Sequence, residues 1–206
     1  MATKKILITA GPTWVPIDNV RVISNIATGS TGLMLADKLC SAGAKVTLLL
    51  GPANYCCLNK KIKIIRFAFF EELKYLITGE LKRNRYDIVI HSAAVSDFKP
   101  AGLNKGKLTS CKAQNLRLLP LPKLAQKIRR LAPKSKLVLF KLESGVRDKT
   151  LIERAKNTLL KYKADLIIAN RINPAYKAFI LDKNKIHCRV DSKKGLVSNL
   201  IRILHN

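Results

Sequence analysis

The sequence predicts a three-layer α/β fold, with a mostly parallel sheet, helices on both of its faces and a hairpin near the C-terminal end. Short apolar runs alternate with longer stretches in which apolar residues recur at helical spacing. Glycine or proline follows several of these runs and marks the turns between elements. Strands separated by helices imply right-handed crossovers and parallel pairing, so we expect a Rossmann-like arrangement.

The first half of the chain shows this alternation clearly. The apolar run KILIT at residues 5–9 stops at Gly11-Pro12, and helical spacing follows over residues 31–42, where Gly43 suits a C-cap. The run KVTLLL at residues 45–50 predicts the second strand. The same half contains three further predicted elements, which are a strand at 61–65, a helix at 70–81 and a strand at 87–92.

The second half begins with an irregular stretch at residues 99–117, which has little periodicity and is typical of a functional or disordered loop. Further on, Lys183-Asn184 separates two short apolar runs at residues 178–182 and 185–190 and predicts the hairpin. The last predicted helix, at residues 193–204, is amphipathic. The remaining predicted elements are helices at 121–131 and 148–163 and strands at 136–142 and 165–169.

Charge is the unusual property of the composition. The chain of 206 residues has 39 Lys and Arg against 13 Asp and Glu, which is a net charge of +26. This excess favours polyanionic partners, either nucleic acids or nucleotides and phosphorylated metabolites. The basic residues are spread along the chain, however, so a Lys-rich solvated surface explains them as well. With 48% apolar and 25% charged residues, a disordered or collagen-like chain is excluded.

No segment of the sequence predicts a membrane span, because no apolar run approaches about 18 residues. The N-terminal residues do not resemble a signal peptide, and we expect a cytoplasmic protein. The cysteines lack paired C-x-x-C spacing and the histidines lack metal-ligand spacing, so we expect reduced thiols and no protein-held metal, while a catalytic cysteine stays open. The five cysteines are Cys40, Cys56, Cys57, Cys111 and Cys188.

Ligands of open parallel sheets bind beyond the carboxyl ends of the strands, and four segments at such positions are rich in small or polar residues. The first joins Gly11-Pro12-Thr13 to residues 24–32, where small residues would let backbone N–H groups approach phosphate oxygens. An ordinary turn before a helix explains the same pattern. The chain has neither G-x-G-x-x-G nor a Walker A sequence, so dinucleotide and P-loop interpretations lack support.

Each of the other three segments offers one chemical group and one plain structural alternative. Ala93-Ala94 permits close approach of a ligand, and Asp97 could contact a metal–nucleotide or cap a turn. Lys105-Gly106-Lys107 in the long loop could close over a phosphoryl group or remain a solvated charge. Phe140 could stack on a base or belong to the core. The local patterns therefore predict an α/β protein that binds a phosphorylated ligand.

At these same segments the chain resembles the phosphopantothenate–cysteine ligases. The most specific part is G-P-T followed by D-x-V-R-x-I-S-N, within residues 11–25. The similar blocks occur in the family order over nearly the whole chain, at residues 8–13, 16–25, 28–32, 93–98, 107–108, 140–143 and 164–170. The resemblance implies one nucleotide-binding ligase domain over residues 1–206, in a stand-alone form that lacks the flavin-dependent decarboxylase domain.

The resemblance also implies a reaction of coenzyme A biosynthesis. The carboxylate of 4′-phosphopantothenate would attack the α-phosphate of CTP or ATP, release pyrophosphate and form an acyl-nucleotidylate. The amine of cysteine would then displace the nucleoside monophosphate and form the amide. The stretch Phe140-Lys141-Leu142-Glu143 is similar to relatives that use either nucleotide, so the base preference stays open. Mg²⁺ would arrive with the triphosphate.

By this resemblance, Asn25 would hold the acyl-nucleotidylate with its side-chain amide, and Lys107 would stabilise the transition state at the α-phosphate. Asn25 and Ala94 would bind the substrate. A homodimer is implied as well, with residues 178–190 as its candidate interface. The implied nucleotide-binding residues are Gly11, Thr13, Thr28, Gly29, Ala93, Asp97, Phe140, Lys156 and Lys161.

Some positions depart from the family pattern. Ser30 stands where Lys or His is common, and Thr109 and Ser110 replace lysines that usually follow the catalytic one. These departures keep a non-catalytic relative open as an alternative. The net charge keeps open a basic α/β module that binds nucleic acid, although the sequence has no helix-turn-helix, zinc-finger or RNP motif and only 6% aromatic residues.

Overall fold

The computed structural model describes residues 3–53, 59–102, 106–173 and 175–205. Every predicted strand and helix is present in it, with small shifts at the ends. The strands are β1 (Lys5–Ala10), β2 (Trp14–Pro16), β3 (Val22–Ser24), β4 (Lys45–Leu50), β5 (Lys63–Arg66), β6 (Ile88–His91), β7 (Phe98–Pro100), β8 (Leu118–Pro120), β9 (Lys136–Glu143), β10 (Leu166–Arg171), β11 (Lys177–Leu181) and β12 (Ile186–Val190). The helices are α1 (Ser30–Ser41), α2 (Phe70–Arg83), α3 (Leu124–Leu131), α4 (Asp148–Tyr162) and α5 (Lys193–His205).

Eight strands form one sheet in the order β12-β11-β10-β9-β6-β1-β4-β5. The strands from β10 to β5 pair in parallel, whereas β11 and β12 are antiparallel. The chain leaves β1 first towards β4 and β5, and it later returns on the other side of β1 as β6. The crevice between the carboxyl ends of β1 and β6 is therefore the switch point at which sheets of this kind bind ligands.

Side chains of the central strand alternate between two apolar cores, one on each face of the sheet. Ile6 and Ile8 of β1 belong to the core that includes α1 and α5, and Leu7 belongs to the core that includes α2, α3 and α4. All three side chains are buried, and burial of each contributes roughly 1.5–3 kcal/mol relative to exposure. Helices thus cover both faces, which confirms the predicted three-layer α/β fold.

Two short antiparallel ladders are absent from the sequence prediction. β2 pairs with β3, and β7 pairs with β8. Each of these strands has only three residues, which is too short for an apolar period to show. The prediction of an irregular stretch at residues 99–117 is wrong at Lys99 and Pro100, which belong to β7, and β8 begins directly after the stretch.

The predicted hairpin is formed by β11 and β12, and its inner strand is covered. Phe179, Ile180 and Leu181 of β11 are buried. Ile186 of β12 is a large apolar residue that is exposed to solvent. A homodimer interface at residues 178–190 stays a prediction.

The cysteines with a described environment are Cys40, Cys111 and Cys188, and all three are free thiols. Cys56 and Cys57 lie outside the described residues. None of the helices described here has the length and apolar character needed to cross a lipid bilayer.

Candidate active site

A cleft of about 620 Å³ opens at the carboxyl edge of the sheet. Its walls come from the segment between β3 and α1 and from the segment that follows β6. The ends of β9 and β10, the segment before β11 and the first residue of α5 complete the lining. Seven of the predicted site residues line this cleft together, namely Asn25, Thr28, Gly29, Ala93, Ala94, Asp97 and Phe140.

Two glycines bring the start of α1 against the ends of the central strands. A Cβ atom on Gly32 would lie 2.5 Å from the Cβ of Ala10 and 2.7 Å from the Oγ of Ser92, so no larger residue fits without movement. Gly29 has a φ of +70°, and a Cβ atom on it would lie 3.1 Å from the backbone nitrogen of Gly11. Gly11 therefore supports the loop that lines the cleft, and it is not itself part of the lining.

The first turn of α1 faces this cleft, and few groups of the described residues bind its backbone N–H donors. Gly29 provides no side-chain cap, and the first turn contains no acidic residue. The N–H of Ser30 makes a long hydrogen bond of 3.4 Å to the hydroxyl of Thr28. The first N–H groups of a helix have no intrahelical partner, and its N-terminus carries partial positive charge, so this turn suits an anionic group.

The amide of Asn25 is held by the segment that follows β6. Its Nδ2 donates to the carbonyl oxygens of Ala94, at 3.2 Å, and of Val95, at 3.1 Å. β3 ends at the residue before Asn25, so the β2–β3 ladder delivers this side chain to the cleft. With both donors of the amide engaged, the carbonyl oxygen Oδ1 is the atom of Asn25 that remains to meet a ligand.

Thr13 supports the cleft from behind. Its side chain is buried, and its hydroxyl donates to the Oγ of Ser96 at 3.1 Å. The N–H of Ser96 donates in turn to the Thr13 hydroxyl oxygen at 2.9 Å. These bonds join the loop after β1 to the segment after β6, so Thr13 positions the wall and does not reach the cleft.

The charges around the cleft are mostly paired. Asp97 forms an ion pair with Lys123, and Lys141 lies 3.1 Å from Glu143. Partial burial opposes ionisation of Glu143, but hydrogen bonds from Lys141 and Arg154 hold the pKa of its carboxyl below the ordinary value. Glu143 is therefore a carboxylate at neutral pH and neutralises Lys141.

His91 at the end of β6 lines a side pocket of about 170 Å³, which adjoins the cleft. Its Nδ1 lies 2.8 Å from the hydroxyl of Thr9, whose oxygen also accepts the N–H of Ala93 at 3.2 Å. We assign the Thr9 proton to this bond and the ring proton to Nε2. Burial lowers the pKa of His91 to about 4, so the ring is neutral at pH 7. Sequence reasoning missed His91, because no metal-ligand or catalytic spacing marks it.

Phe140 lies between the side pocket and the cleft and lines both. It also packs against the apolar core on the face of α1 and α5. The core interpretation of this residue is therefore confirmed, and stacking of its ring on a base stays a prediction.

Lys107 is exposed and does not line the cleft. The following residue is anchored, because the N–H of Leu108 donates to Asp18 Oδ2 at 3.0 Å and its carbonyl oxygen accepts from Arg21 Nη1 at 3.2 Å. Asp18 and Arg21 lie in the turn between β2 and β3, and β3 leads to Asn25. The structure thus ties the segment that carries Lys107 to the ladder that carries Asn25, without bringing the lysine into the cleft.

Lys156 and Lys161 are exposed on α4, and neither lines the cleft. The ammonium group of Lys161 lies 5.7 Å from the centre of the Tyr162 ring. Lys105 lies outside the described residues. The nucleotide-binding role that the resemblance implied for Lys156 and Lys161 therefore stays a prediction. Neither lysine packs against the core, because the face of α4 that turns inward is apolar. The buried residues of that face are Leu151, Ala155 and Leu159.

Several residues that sequence reasoning did not select also line the cleft, among them Asn170, Tyr176 and Lys193. Asn170 is the last residue of the block 164–170, which resembles the family, and this position in the block could have marked it as a site residue. Tyr176 precedes β11 and Lys193 begins α5, and neither had a sequence signal. Among the described residues there is no group of three or more His, Cys, Asp or Glu side chains that could hold a metal ion.

The fold and the site together define a three-layer α/β protein with a ligand cleft at the carboxyl edge of its parallel sheet. The family model of the DNA/pantothenate metabolism flavoprotein C-terminal domain matches residues 1–199, and the chain belongs to that family. This match includes all the motif blocks that carried the resemblance.

Relatives of known sequence are bifunctional coenzyme A biosynthesis proteins named CoaBC. The chain is 33% identical to that of Thermococcus kodakarensis over 184 residues, which are 89% of this chain and 44% of that protein. It is 34% identical to that of Methanocaldococcus jannaschii over 207 residues, covering 96% of this chain and 49% of that protein. The chain thus spans about half the length of these relatives.

Solved structures share the fold. The DNA/pantothenate metabolism flavoprotein from Streptococcus pneumoniae superposes with a TM-score of 0.89 at 27% identity, over 98% of this chain and 99% of that one. The C-terminal domain of a CoaBC protein superposes with a TM-score of 0.79 at 22% identity, over 98% of this chain and 93% of that one.

Proposed function

We propose that the chain is an amide-forming ligase of coenzyme A biosynthesis, which joins 4′-phosphopantothenate to cysteine with CTP or ATP. Membership of the family and the similarity to CoaBC proteins support the metabolic context. The observation that carries the proposal is one cleft that holds both the oriented amide of Asn25 and the uncapped first turn of α1. These two features suit an intermediate in which an acyl group is joined to a phosphate.

The proposed reaction has two steps. A carboxylate oxygen of 4′-phosphopantothenate attacks the α-phosphorus, the bond from that phosphorus to the bridging oxygen breaks, and pyrophosphate leaves. The amine of cysteine then attacks the acyl carbon, loses a proton and displaces the nucleoside monophosphate. The first step brings anions together, so the site has to supply oriented donors and cations.

The residues of the cleft divide between the two parts of the intermediate. Phe140 is proposed to stack on the base, and Asp97, which lines the same two spaces, is proposed to contact the nucleoside. Thr28 and Gly29 lie at the start of α1, where the phosphates would meet backbone N–H groups. Ala93, which lines both spaces, leaves room between them because its side chain is small.

Asn25 and Ala94 are proposed to hold the acyl part. The side-chain oxygen of Asn25 is free to accept a hydrogen bond from the pantothenoyl amide or hydroxyl, while its Nδ2 stays on the carbonyl oxygens of Ala94 and Val95. Lys107 is proposed to approach the α-phosphate only when substrate is bound, since its amine lies outside the cleft lining in this structure.

Mg²⁺ is proposed to arrive as part of the nucleotide substrate. The lining offers one carboxylate, that of Asp97, and Lys123 already pairs with it. Magnesium is usually held by substrate phosphates with one or two carboxylates, so the phosphates would supply most of its ligands here.

The test is a reaction with defined omissions. The purified chain is incubated with Mg²⁺, cysteine, 4′-phosphopantothenate and either CTP or ATP, and pyrophosphate and amide product are both measured. We expect pyrophosphate release that requires 4′-phosphopantothenate, and amide that requires cysteine as well. Absence of pyrophosphate with both nucleotides would contradict the proposal and favour a non-catalytic relative.

A homodimer is also proposed, with residues 178–190 as one candidate interface and the two short ladders as a second. The ladders β2–β3 and β7–β8 expose apolar side chains, with Val22 39%, Phe98 51% and Leu118 44% accessible, and Ile26 is fully accessible. Apolar side chains gathered on two neighbouring ladders are typical of an interaction surface. A native mass of one chain at micromolar concentration would refute this part of the proposal.

A further inference from the structure

Lys193 lines the cleft, and no carboxylate among the residues that the structure describes neutralises its charge. The described lining of the cleft contains three charged side chains, those of Asp97, Lys141 and Lys193. Asp97 pairs with Lys123, and Lys141 pairs with Glu143. Lys193 makes no ion pair among the described residues. Its Nζ instead donates to the hydroxyl of Ser30 at 3.0 Å, across 163 positions of sequence.

This contact places a cation at the N-terminus of α1. Ser30 is the first residue of that helix, where backbone N–H groups lack intrahelical partners and the helix charge is positive. A lysine amine beside a helix N-terminus is unfavourable unless an anion accompanies it. The amine also retains donors beyond the one used by Ser30, so it can bind a further acceptor.

The lining of the same cleft also contains buried polar atoms without partners among the described residues. The hydroxyl oxygen of Tyr176 and the Oδ1 atom of Asn170 are both buried and make no hydrogen bond within the described part of the chain. Burial raises the pKa of Tyr176 to about 12, so its hydroxyl remains a donor at neutral pH. Buried polar atoms without a partner are rare in folded proteins, and a ligand in the cleft would satisfy them.

The position of Lys193 brings no benefit to its own helix. It is the first residue of α5, and Ser192 already caps that helix through its hydroxyl, which accepts the N–H of Gly195 at 3.0 Å. Positive side chains in a first turn oppose the helix dipole. Replacing Lys193 should therefore leave stability unchanged or raise it slightly, so a binding defect can be separated from a folding defect.

We propose that Lys193, with Ser30 and the first turn of α1, forms a phosphate subsite that neutralises a substrate phosphoryl group during ligation. This inference rests on the proposed function and assigns a residue to its electrostatics. Two substrates carry the required chemistry, namely the nucleoside triphosphate, whose β- and γ-phosphates leave as pyrophosphate, and 4′-phosphopantothenate with its phosphate monoester. Ser30 stands where Lys or His is common in the resembling family, and Lys193 supplies a cation at this place.

The experiment compares Lys193→Gln with Lys193→Arg and with Lys194→Gln, the adjacent exposed lysine, which does not line the cleft. Affinities for CTP, ATP, the monophosphates, pyrophosphate, 4′-phosphopantothenate and pantothenate are measured by calorimetry with Mg²⁺. We expect Lys193→Gln to lose roughly tenfold to a hundredfold in affinity for the ligands whose phosphate occupies the subsite. Lys193→Arg and Lys194→Gln should remain close to the unmodified chain.

The ligand that loses affinity identifies the source of the phosphate. A loss for triphosphates and pyrophosphate assigns the subsite to the leaving group, and a loss for 4′-phosphopantothenate but not pantothenate assigns it to the monoester. Equal affinities of Lys193→Gln and Lys194→Gln for every ligand would overturn the inference while leaving the ligase proposal intact. If the unmodified chain binds none of these ligands, both fail together. Unfolding curves of all variants control for stability.

Discussion

The carboxylate of Asp18 accepts the backbone N–H of Leu108 at 3.0 Å, although the two residues are 90 positions apart. The same carboxylate accepts the N–H groups of Val20 and Arg21 at 2.8 and 2.7 Å. One buried acid therefore closes the turn between β2 and β3 and anchors the loop that carries Lys107. Asp18 thus holds both the β2–β3 ladder, which leads to Asn25, and the segment that carries Lys107, the second residue proposed to act in catalysis.

Asp18→Asn should loosen this anchor. The hydrogen bond from Leu108, followed by that from Val20, lowers the pKa of Asp18 from 3.8 to about 2. The lowered value means that ionised Asp18 stabilises the fold fully above about pH 4, and that this contribution is lost as the pH falls towards 2. At neutral pH the Asn variant should show faster proteolysis within residues 106–117 and about tenfold lower ligase activity.

The matched control for this variant is Asp191→Asn, which alters an exposed acid next to Arg189 outside the cleft. It should match the unmodified chain in both measurements. Unchanged proteolysis in Asp18→Asn would show that the anchor does not hold the loop.

Asn25→Asp should separate the two proposed chemical steps. A carboxylate cannot donate to the carbonyl oxygens of Ala94 and Val95 and would be repelled by them, so the side chain should leave its present position. We expect the first turnover of pyrophosphate to persist in rapid-quench measurements and amide formation to slow by about 10²-fold. Asn184→Asp, in the turn between β11 and β12, serves as the control. Normal amide formation in Asn25→Asp would remove this residue from the mechanism.

His91 should remain neutral through the physiological range. Burial lowers its pKa from 6.5 to about 4, so the unfolded chain binds a proton between these values that the folded chain does not. Stability should therefore fall as the pH decreases from about 6.5 to 4, by up to about 3 kcal/mol, and His91→Gln should lack this part of the dependence. An NMR resonance of His91 that titrates above pH 6 would contradict the assignment.

Gly32→Ala should test the close approach of α1 to the sheet. The added methyl group would lie 2.5 Å from the Cβ of Ala10, and we expect a loss of about 1–3 kcal/mol in unfolding free energy. Gly79→Ala in α2 is the matched control, because nothing lies within 4 Å of a Cβ atom there. That variant should gain about 0.5–1 kcal/mol from lower chain entropy. Urea unfolding measures both, and equal values would contradict the packing argument.

Local patterns predicted most of the fold and several residues of the cleft. Strands such as β4 and helices such as α5 have periods that can be read from neighbouring residues, and the glycine and alanine segments mark the carboxyl edge of the sheet. The ladders β2–β3 and β7–β8 were missed because three residues cannot show a period. Lys156 and Lys161 were assigned to the nucleotide from resemblance alone, and this assignment stays a prediction because both lie on α4 outside the cleft lining.

The sequence by itself determined the order of strands and helices, the parallel sheet and the chain segments that meet at its edge, because these depend on residues close to one another in the chain. Only the tertiary structure decided which side chains share the cleft. In the folded chain Thr13 is buried behind the cleft wall, and Asp18 binds the N–H of Leu108. Lys193 contacts Ser30, although the two residues are 163 positions apart in the sequence. Such contacts depend on the distance between folded elements, and no local periodicity encodes that distance.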